Sequence, residues 1–579
     1  MIKIASFAGE IPRLIPRLLQ QNYAQFAQNT KLENGALLPI RRGKLTNTMP
    51  FDCKTIYRDG DTWLGWEDFV QVEPGPVASN RLYVTGDGKP KVIVDGTTYD
   101  LAVKRPTTKP IATVNGTPDD ALSSTVLFAY TWVTEFDEES EPSDLSDGVL
   151  WSPSLTVNVT NFDNPPTDRA VNRMRIYRSQ TSALGDTTLY FIAERAASIA
   201  DFLYDEDTYP MNEVIASTEY NPPPDDLQGL IGLPNGIMAG FVGKKVYFSE
   251  PYRPHAWPEK YIMTVDYAVV GLGAFGSAVA VLTTGMPYVM QGSTPDTMIS
   301  QRLEVNLPCL SAQSVVDLGY SVAYASTQGL VTISQNGAVV ASTNLLTMDQ
   351  WRAMQPESFI AGQYSGRYMA SYNYLDENDA QQRGMVIFDL SGAQPFLVRA
   401  SDDADAMYHE LGTGRLFLLR NRRDVYEWDA ADQPYGEQYW KSKRYVLPTF
   451  TNYGCIMVEG EDATTREQKV YLMARHAEIK ALNRQKIESN ATGGAINDLL
   501  LNIVPIAGSL LDPIDENDPS FSVTIIADGK PITTIYHMNV PVPLPSGFTA
   551  KTWEIEVRGN QMVTGIVLAY SPTQMAEGG

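Results

Sequence analysis

The sequence predicts a mainly β protein, an irregular β-propeller of five to six blades with an immunoglobulin- or fibronectin-III-like sandwich and terminal platform β domains. Two observations predict this class. Paired strand patterns recur along the middle of the chain at intervals of 41, 43, 45 and 48 residues, the period of propeller blades. The 30 tyrosines, 43 glycines and 37 prolines suit many short strands joined by turns.

The length of 579 residues is too great for one ordinary core. We therefore expect four segments along the chain. They are an N-terminal arm with platform strands at 1–115, a sandwich at 116–220, a propeller core at 221–455, and a C-terminal β platform region with one helix at 456–579.

The first 50 residues are predicted to be an extended, irregular arm with one helical turn at most before the Asn34-Gly35 turn. Such an arm usually clamps onto another domain or a neighbouring subunit. Arg41, Arg42 and Lys44 form a small basic cluster, interpreted as a solvated turn, with a phosphate contact as the alternative.

Strand patterns follow the arm at Thr55–Trp66, Arg81–Thr85 and Lys91–Val94. The stretch Asp59–Trp63 partly matches the turn of sialidase propellers. Its leading serine is missing and no second copy occurs, so a plain turn with a packed tryptophan is the better interpretation.

A Thr/Pro/Gly-rich linker at Thr107–Pro118 precedes the predicted sandwich, whose first strand, Thr125–Thr134, alternates with period two. The next three strand patterns are Leu155–Val159, Val171–Arg178 and Thr188–Ala193. The acidic run Asp137–Glu141 lacks EF-hand spacing, so we interpret it as a solvated loop, with calcium binding as the alternative. The same interpretation applies to Asp201, Asp205, Glu206 and Asp207.

A stiff polyproline connector, Asn221–Leu227, leads into the predicted propeller. The first hairpin ends at Glu250-Pro251 because proline has no N–H for the ladder. Pro254–Pro258 then forms a rigid corner anchored by Trp257. The lead strands of five units begin near Ile237, Ala278, Ser321, Gly366 and Gly414. Strands from the chain ends could complete a sixth unit.

The last segment combines a helix with a final β unit. The helix is predicted over Arg475–Ile487, and Asp515–Asp518 is another acidic loop. The final strand patterns are Phe521–Ala527, Thr552–Arg558 and Val563–Ala569.

The sequence carries no recognisable catalytic constellation, so we expect no enzyme activity, no catalytic or cofactor-binding residues and no metal site. None of the four histidines has metal-ligand spacing, and no nucleophile elbow, P-loop or dinucleotide motif occurs. They are His255, interpreted as a hydrogen-bonded structural residue, and His409, His476 and His537. The cysteines Cys53, Cys309 and Cys455 are expected to be small core residues.

Two further groups leave an alternative open. Asp402, Asp403 and Asp405 could form a glycosidase-like acid/base pair, although such clusters are common in exposed loops. Met286, Met290 and Met298 could line a constriction, although core packing is the favoured interpretation.

The net charge of −23 argues against tight, sequence-specific nucleic-acid binding, which requires a basic face. It suits a wall past which DNA slides without sticking. No run approaches the roughly 18 apolar residues of a membrane helix. The start, MIKIASFAGEIPRLIPRLL, is not expected to be a signal peptide because its prolines break the apolar region.

Several stretches together resemble the tail nozzle proteins (tail tubular, tube B-like) of short-tailed bacteriophages. They include FAGEIPRLIPRLL, AQNTKLENGALLPIRR, RLYVTGDGKPK, AYTWVTEFDEESEPS, AGFVGKKVYFSEPYRPHAWP, LPCLSAQSVVDLG, AYASTQGLVTIS and VRGNQMVTGIVLAYSP. The resemblance spans most of the chain and implies an irregular propeller with added platform domains. The position of the sandwich and the helix at Arg475–Ile487 depart from the family pattern.

The resemblance implies a structural virion protein of the phage tail. It implies a homo-oligomer, expected to be a hexameric ring, that docks to the portal adaptor and carries tail fibres or spikes. Genomic DNA would pass through the channel during ejection without sequence-specific binding. The alternative function is a carbohydrate-binding or carbohydrate-degrading β-propeller acting on host surface polysaccharide, motivated by Asp402–Asp405 and the many aromatic residues.

Overall fold

The structure, a computed structural model, describes residues 1–119, 121–181, 187–375, 380–390, 395–461, 474, 477–485 and 521–577. Strands make up 48% of the chain and helices 7%, so the predicted mainly β class is confirmed. The strands form many small sheets, none of which closes on itself within the described ranges. The β-propeller itself stays a prediction.

The chain divides into two compact units. The first unit comprises Met1–Leu64, Gln328–Val331 and Val340–Gly579. The second unit comprises Gly65–Thr327 and Thr332–Val339. The four segments expected from the sequence stay a prediction.

Four-stranded antiparallel meanders, in which each strand pairs with the next along the chain, recur in the second unit. The first has the strands Gln71–Pro74, Arg81–Thr85, Lys91–Val94 and Thr97–Asp100. The second has Gln228–Gly232, Met238–Val242, Lys245–Phe248 and Met263–Thr264. The third has Val269–Phe275, Ala278–Thr283, Tyr288–Gln291 and Ile299–Arg302.

A fourth meander follows the same plan. Its strands are Val316–Asp317, Val322–Ser326, Gly329–Ser334 and Gly337–Val340. The first strands of the four meanders neighbour one another in chain order. Gly273 permits this approach, because a Cβ at that position would lie 2.6 Å from the side chain of Val322. The expected lead strands near Ile237, Ala278 and Ser321 are the second strands of the last three meanders.

Two three-stranded sheets that share one apolar core follow the first meander along the chain, in the stretch where the sequence predicts a sandwich. One sheet contains Ile111–Asn115, Thr156–Thr160 and Phe202–Tyr204. The other contains Phe128–Thr134, Val171–Thr181 and Thr187–Ala196. Ser124–Val126 pairs separately with Val149–Trp151. One apolar core, which includes Phe128, Trp132, Val157 and Met174, draws its residues from both sheets.

Three serines spaced three residues apart complete the outer edge of the sandwich. The hydroxyl oxygens of Ser140, Ser143 and Ser146 accept backbone N–H bonds from Trp132, Tyr130 and Phe128 at 3.0–3.2 Å. The serine backbone N–H groups donate to the carbonyls of the same three partners. The buried edge strand therefore leaves none of these backbone groups unpaired.

One long sheet dominates the first unit. Its strands, in spatial order, are Ile360–Tyr364, Arg367–Leu375, Gln381–Asp389, Phe396–Ala400, Ala24–Gln28, Gln438–Ser442, Ala550–Gly559, Phe521–Ala527 and Lys530–Ile535, with Tyr445–Thr451 also paired to Ala550–Gly559. The core below it includes Ala27, Trp440, Val523 and Ile555. The first four strands form a meander, and its second strand, Arg367–Leu375, is the lead strand expected near Gly366.

The remaining strands of the first unit form smaller sheets. One sheet contains Ile2–Ile4, Met562–Ala569, Cys455–Glu461 and Val542–Pro543. Another contains Ala406–Glu410, Arg415–Arg420, Asp424–Glu427 and Lys44–Thr48. Two-stranded pairs join Thr30–Lys31 to Leu38–Pro39 and Thr55–Asp59 to Thr62–Trp66.

Helices are few and short in the described chain. The α-helices are Met348–Ala353, Pro572–Glu577 and a segment at 477–485. The 3-10 helices are Ser217–Glu219, Pro234–Gly236, Glu259–Tyr261, Pro295–Thr297, Ala312–Ser314 and Pro356–Ser358. The segment 477–485 lies inside the predicted helix Arg475–Ile487, and the other positions of that prediction lie outside the described residues. None of the described helices is long and apolar enough to span a bilayer.

The irregular N-terminal arm expected from the sequence is the clearest error. Residues 1–50 contain strands, and these pair with distant parts of the same unit. Ala24–Gln28 lies between Phe396–Ala400 and Gln438–Ser442, and pairs in parallel with the former at Gln28 and Arg399. Lys44–Thr48 supplies the fourth strand of the meander expected near Gly414. The arm was mispredicted because most of its short strands pair with residues far along the chain, while Thr30–Lys31 and Leu38–Pro39 pair with each other.

Glu10 fixes the arm from within. Its side chain is 2% exposed, accepts the backbone N–H of Ala27 at 3.0 Å, and accepts the Arg399 guanidinium at 3.1 Å. Burial raises the pKa of Glu10, against the lowering effect of Arg399. One carboxylate thus connects the strand Ala24–Gln28 to the strand Phe396–Ala400.

We expect Glu10→Ala to lower the free energy of unfolding of the first unit by about 2 kcal/mol. The substitution leaves the Ala27 N–H without the carboxylate acceptor and the Arg399 guanidinium without its charged partner. Chemical denaturation of the full chain measures this. Glu33→Ala is the matched control, since the Glu33 carboxylate is half exposed in its 3.2 Å pair with Arg367 and should cost less than about 0.5 kcal/mol. Equal losses in the two variants would contradict this role of Glu10.

Candidate functional site

The acidic loop singled out from the sequence is held by basic and backbone groups. The carboxylate of Asp402 accepts Arg420 on one oxygen and the Trp428 indole N–H, at 2.9 Å, on the other. Asp405 accepts the backbone N–H of Arg422 at 2.8 Å. Asp403 lies 3.4 Å from Arg383. These contacts stabilise the loop, and both carboxylate oxygens of Asp402 are engaged in them.

Among the described residues, His255, His409 and His537 belong to no common ligating group. His255 is 4% exposed, and burial together with the charge of Arg169 lowers its pKa to about 3, so it is neutral. It packs edge-on against Tyr220. His409 lies on Ala406–Glu410, where burial lowers its pKa. The position of His476 is outside the described residues, as is the acidic loop Asp515–Asp518.

The acidic run Asp137–Glu141 is an ion-pair network and not the solvated loop expected from the sequence. Glu138 and Glu139 are buried, and pair with Arg169 and Arg175 respectively. Asp137 pairs with Arg173, which holds the pKa of that carboxyl below its usual range. The sequence contains these arginines, but nothing in it places them opposite the acids.

Other candidates behave as core residues. Met290 and Met298 are buried in the core of the second and third meanders, and Met286 is half buried. The three cysteines are buried, and burial raises the pKa of Cys309 to about 12. Trp63, in the partly sialidase-like turn, packs edge-on against Phe417 at 4.9 Å. Among the described residues no group of three or more ligating side chains could hold a metal ion.

A polar cleft of about 660 Å³ in the first unit is the best candidate binding site. It lies where Ala24–Gln28 ends and the chain turns at Asn29, which has a left-handed φ of 55°. The lining residues are Phe26, Gln28, Asn29, Ile40, Arg41, Arg42, Ser401, Asp402, Gly436, Glu437, Gln438, Tyr439 and Arg558. Asn29 bridges two walls, since its side chain bonds both Ser401 and the carbonyl of Glu437.

A ladder of two aromatic rings flanked by two guanidinium groups lies at the cleft, and three of its four members, Phe26, Tyr439 and Arg558, line it. Arg399, Phe26, Tyr439 and Arg558 occupy four neighbouring strands of the long sheet. The Arg399 guanidinium lies 5.6 Å from the Phe26 ring, the Phe26 and Tyr439 rings are 5.3 Å apart, and Arg558 lies 4.5 Å from Tyr439. Cation–π contacts of this kind hold the side chains in fixed positions.

The basic cluster from the sequence forms one rim of the cleft and is anchored by contacts. The Arg41 guanidinium stacks over Tyr435 at 4.9 Å, and its backbone N–H donates to Asp429 at 2.9 Å. Lys44 pairs with Asp432 at 2.5 Å. The cleft therefore offers guanidinium donors, amide groups and aromatic surface, a set that suits a polar, hydroxyl-rich or anionic ligand.

Carboxylates also lie on the first strands of two meanders in the second unit. Burial raises the pKa of Glu73 to about 7, with a further contribution from Asp317, while the backbone of Gly232 opposes the shift. Burial likewise raises the pKa of Asp317, which accepts the Gly319 N–H at 2.6 Å. The sequence gives no signal for either residue.

Comparison with known proteins gives weak structural similarity alone. No family model and no curated protein matches the chain. It is similar to PorZ, a bacterial surface component of the type-IX secretion system of Porphyromonas gingivalis, at 9% identity and a TM-score of 0.21, over 69% of this chain and 44% of PorZ. It is also similar to BBS1N, solved with ARL6DN, at 9% identity and a TM-score of 0.20, over 62% of this chain and 95% of that one. Scores this low carry no argument about fold or function.

Glu73 makes the stability of the second unit depend on pH. Its folded pKa of about 7 exceeds the ordinary 4.5, so the native state binds the proton more tightly and stability falls as pH rises towards 7. Between pH 5.5 and 8.5 we expect the free energy of unfolding of the wild type to fall by about 1–2 kcal/mol more than that of Glu73→Gln.

Denaturation curves at the two pH values measure this difference. The exposed Glu67 offers the control, because Glu67→Gln should keep the wild-type pH dependence. If Glu73→Gln also keeps the wild-type dependence, Glu73 does not carry the effect.

Proposed function

We propose that this chain is a structural virion protein that forms the tail nozzle ring of a short-tailed phage. The observation that carries the proposal is the recurrence of four-stranded meanders along a chain whose sequence stretches resemble that family. Ring components of a conduit need rigid repeated units more than they need a reactive pocket. The resemblance supplies the functional class, and the mainly β fold is compatible with it.

We propose further that the meanders are blades of one irregular β-propeller. Six four-stranded meanders support this, one more than the five lead strands found in the sequence. Their ranges are 71–100, 228–264, 269–302, 316–340, 360–400, and 406–427 with 44–48. Within the second unit, first strands neighbour one another as the inner strands of successive blades do.

An acidic protein suits a channel for DNA. With a net charge of −23, the chain repels a phosphate backbone on average, so DNA would pass without being held. The proposed assembly is a hexamer in the virion tail, docked to the portal adaptor and carrying fibres or spikes, since cyclic heterologous contacts close rings.

The assembly is testable on purified protein. We expect native mass spectrometry of the chain, alone or mixed with its adaptor, to give a closed oligomer of six copies of the 64.0 kDa chain. Electron microscopy of the same sample should give rings with an open centre. A chain that stays monomeric with its adaptor, together with virions that lack it, would overturn the proposal.

A second function, carbohydrate binding, is favoured by the cleft. Its aromatic and guanidinium ladder and its amide-lined walls suit the hydroxyls and apolar faces of a sugar. Binding fits these contacts better than cleavage, because both oxygens of Asp402 are already engaged. The ligand would be a polysaccharide of the host surface.

Isothermal titration with purified host polysaccharide tests this alternative. We expect Tyr439→Ala to weaken binding at least about tenfold, because it removes the ring that lies between Phe26 and Arg558 in the ladder. Tyr536→Ala is the control, since Tyr536 is exposed and lies outside the cleft. Absence of binding to the wild type would eliminate this function, and release of reducing sugar abolished by Asp403→Asn would show cleavage instead.

A further inference from the structure

A buried cluster of basic and polar side chains joins three segments of the second unit. Arg81 and Tyr83 lie on the strand Arg81–Thr85 of the first meander. Glu138 and Arg169 come from loops of the sandwich, and His255 comes from the corner after the second meander's hairpin. Tyr83 and Arg169 are at most 1% exposed, and His255 is 4% exposed.

Contacts with Glu138 and Phe136 bring Arg81 and Arg169 together. Glu138 accepts Arg169 on one carboxylate oxygen and lies 3.6 Å from Arg81 on the other. The guanidinium groups of Arg81 and Arg169 lie 5.1 and 5.8 Å from the ring of Phe136. His255 is close enough to both arginines for their charges to lower its pKa.

The cluster has more hydrogen-bond donors than partners. The buried Nε atoms of Arg81 and Arg169 and Nη1 of Arg169 have no hydrogen-bond acceptor within the described chain. The Tyr83 hydroxyl and the His255 ring nitrogens also lack a hydrogen bond of good geometry, with weaker contacts to Arg81 and to the Glu139 backbone respectively. Neutral His255 supplies one N–H donor and one acceptor nitrogen. Each unmet buried donor costs about 1–3 kcal/mol, so a native protein rarely leaves several together.

The cluster also has an excess of positive charge. Within the buried cluster the two arginines face one buried carboxylate, Glu138, and the exposed Asp137, which pairs with Arg173, also acts on Arg81. His255 is neutral and Tyr83 is protonated. The neighbouring carboxylate Glu139 is engaged by Arg175, Thr131 and Tyr177. The exposed Arg253 stacks on Tyr220 and adds a further positive charge nearby. A buried uncompensated charge is costly, and water molecules cannot neutralise it.

We propose that Arg81, Tyr83, Arg169 and His255 bind a small monovalent anion of the chloride type, which ties the sandwich to the first and second meanders. The anion accepts the unmet N–H and O–H donors and balances the second arginine charge. A divalent anion would overcompensate the single excess charge. The site goes beyond the proposed virion function and holds whether or not that function is correct.

Thermal unfolding of the full chain in sodium chloride and in sodium gluconate at equal ionic strength tests the proposal. Chloride should raise the Tm of the second unit by about 3 °C, because a ligand that binds only the native state stabilises it. Tyr83→Phe, which removes one donor and no charge, should reduce this chloride-dependent shift by at least half.

Tyr324→Phe is the matched control. The Tyr324 hydroxyl is also buried, but it donates to the Leu307 carbonyl at 2.9 Å, so this variant should lower Tm in both salts and keep the chloride shift. In crystals soaked in bromide, an anomalous peak should lie between Arg169 and His255. Equal Tm values in the two salts, with water only at that position, would overturn the proposal.

Discussion

The first unit depends on one long-range constraint, the insertion of Ala24–Gln28 into the long sheet. This strand separates the meander that ends at Phe396–Ala400 from the strands that begin at Gln438–Ser442. Without it, two sheet edges with unpaired backbone groups would face each other. The Glu10 carboxylate stabilises the inserted strand by accepting the Ala27 N–H. Lys44–Thr48, later in the same arm, pairs with Asp424–Glu427 in a second sheet. The strands Ala24–Gln28 and Lys44–Thr48 therefore depend for their pairing on strands about 400 residues later in the chain.

That dependence explains which parts of the fold could be predicted. Period-two alternation and Gly-containing turns identify local hairpins, so strands such as Arg81–Thr85 and Ala278–Thr283 were predicted within a residue or two. The arm could not be predicted, because Ala24–Gln28 carries no strong alternation and pairs only with distant strands. The cleft was missed for the same reason, since Tyr439 and Arg558 become neighbours of Phe26 only through that pairing.

Charge placement shows a second limit of sequence analysis. The run Asp137–Glu141 looks like a solvated loop, yet Glu138 and Glu139 are buried against arginines from other segments. Ser140, Ser143 and Ser146, spaced three residues apart, pair with the edge of the strand Phe128–Thr134. The spacing is visible in the sequence, but its meaning becomes clear only when the strand that the serines bond is known. Part of the acidic composition is therefore engaged in internal ion pairs.

The central claim is that repeated meanders build a propeller whose copies form a ring around an open channel. A cryo-electron microscopy map of the virion tail, with this chain traced in it, tests this claim most directly. The account predicts six copies around the DNA path, with the first strand of each meander facing a common propeller axis. A map that shows the chain absent from the tail, or the meanders stacked without a common axis, would contradict it.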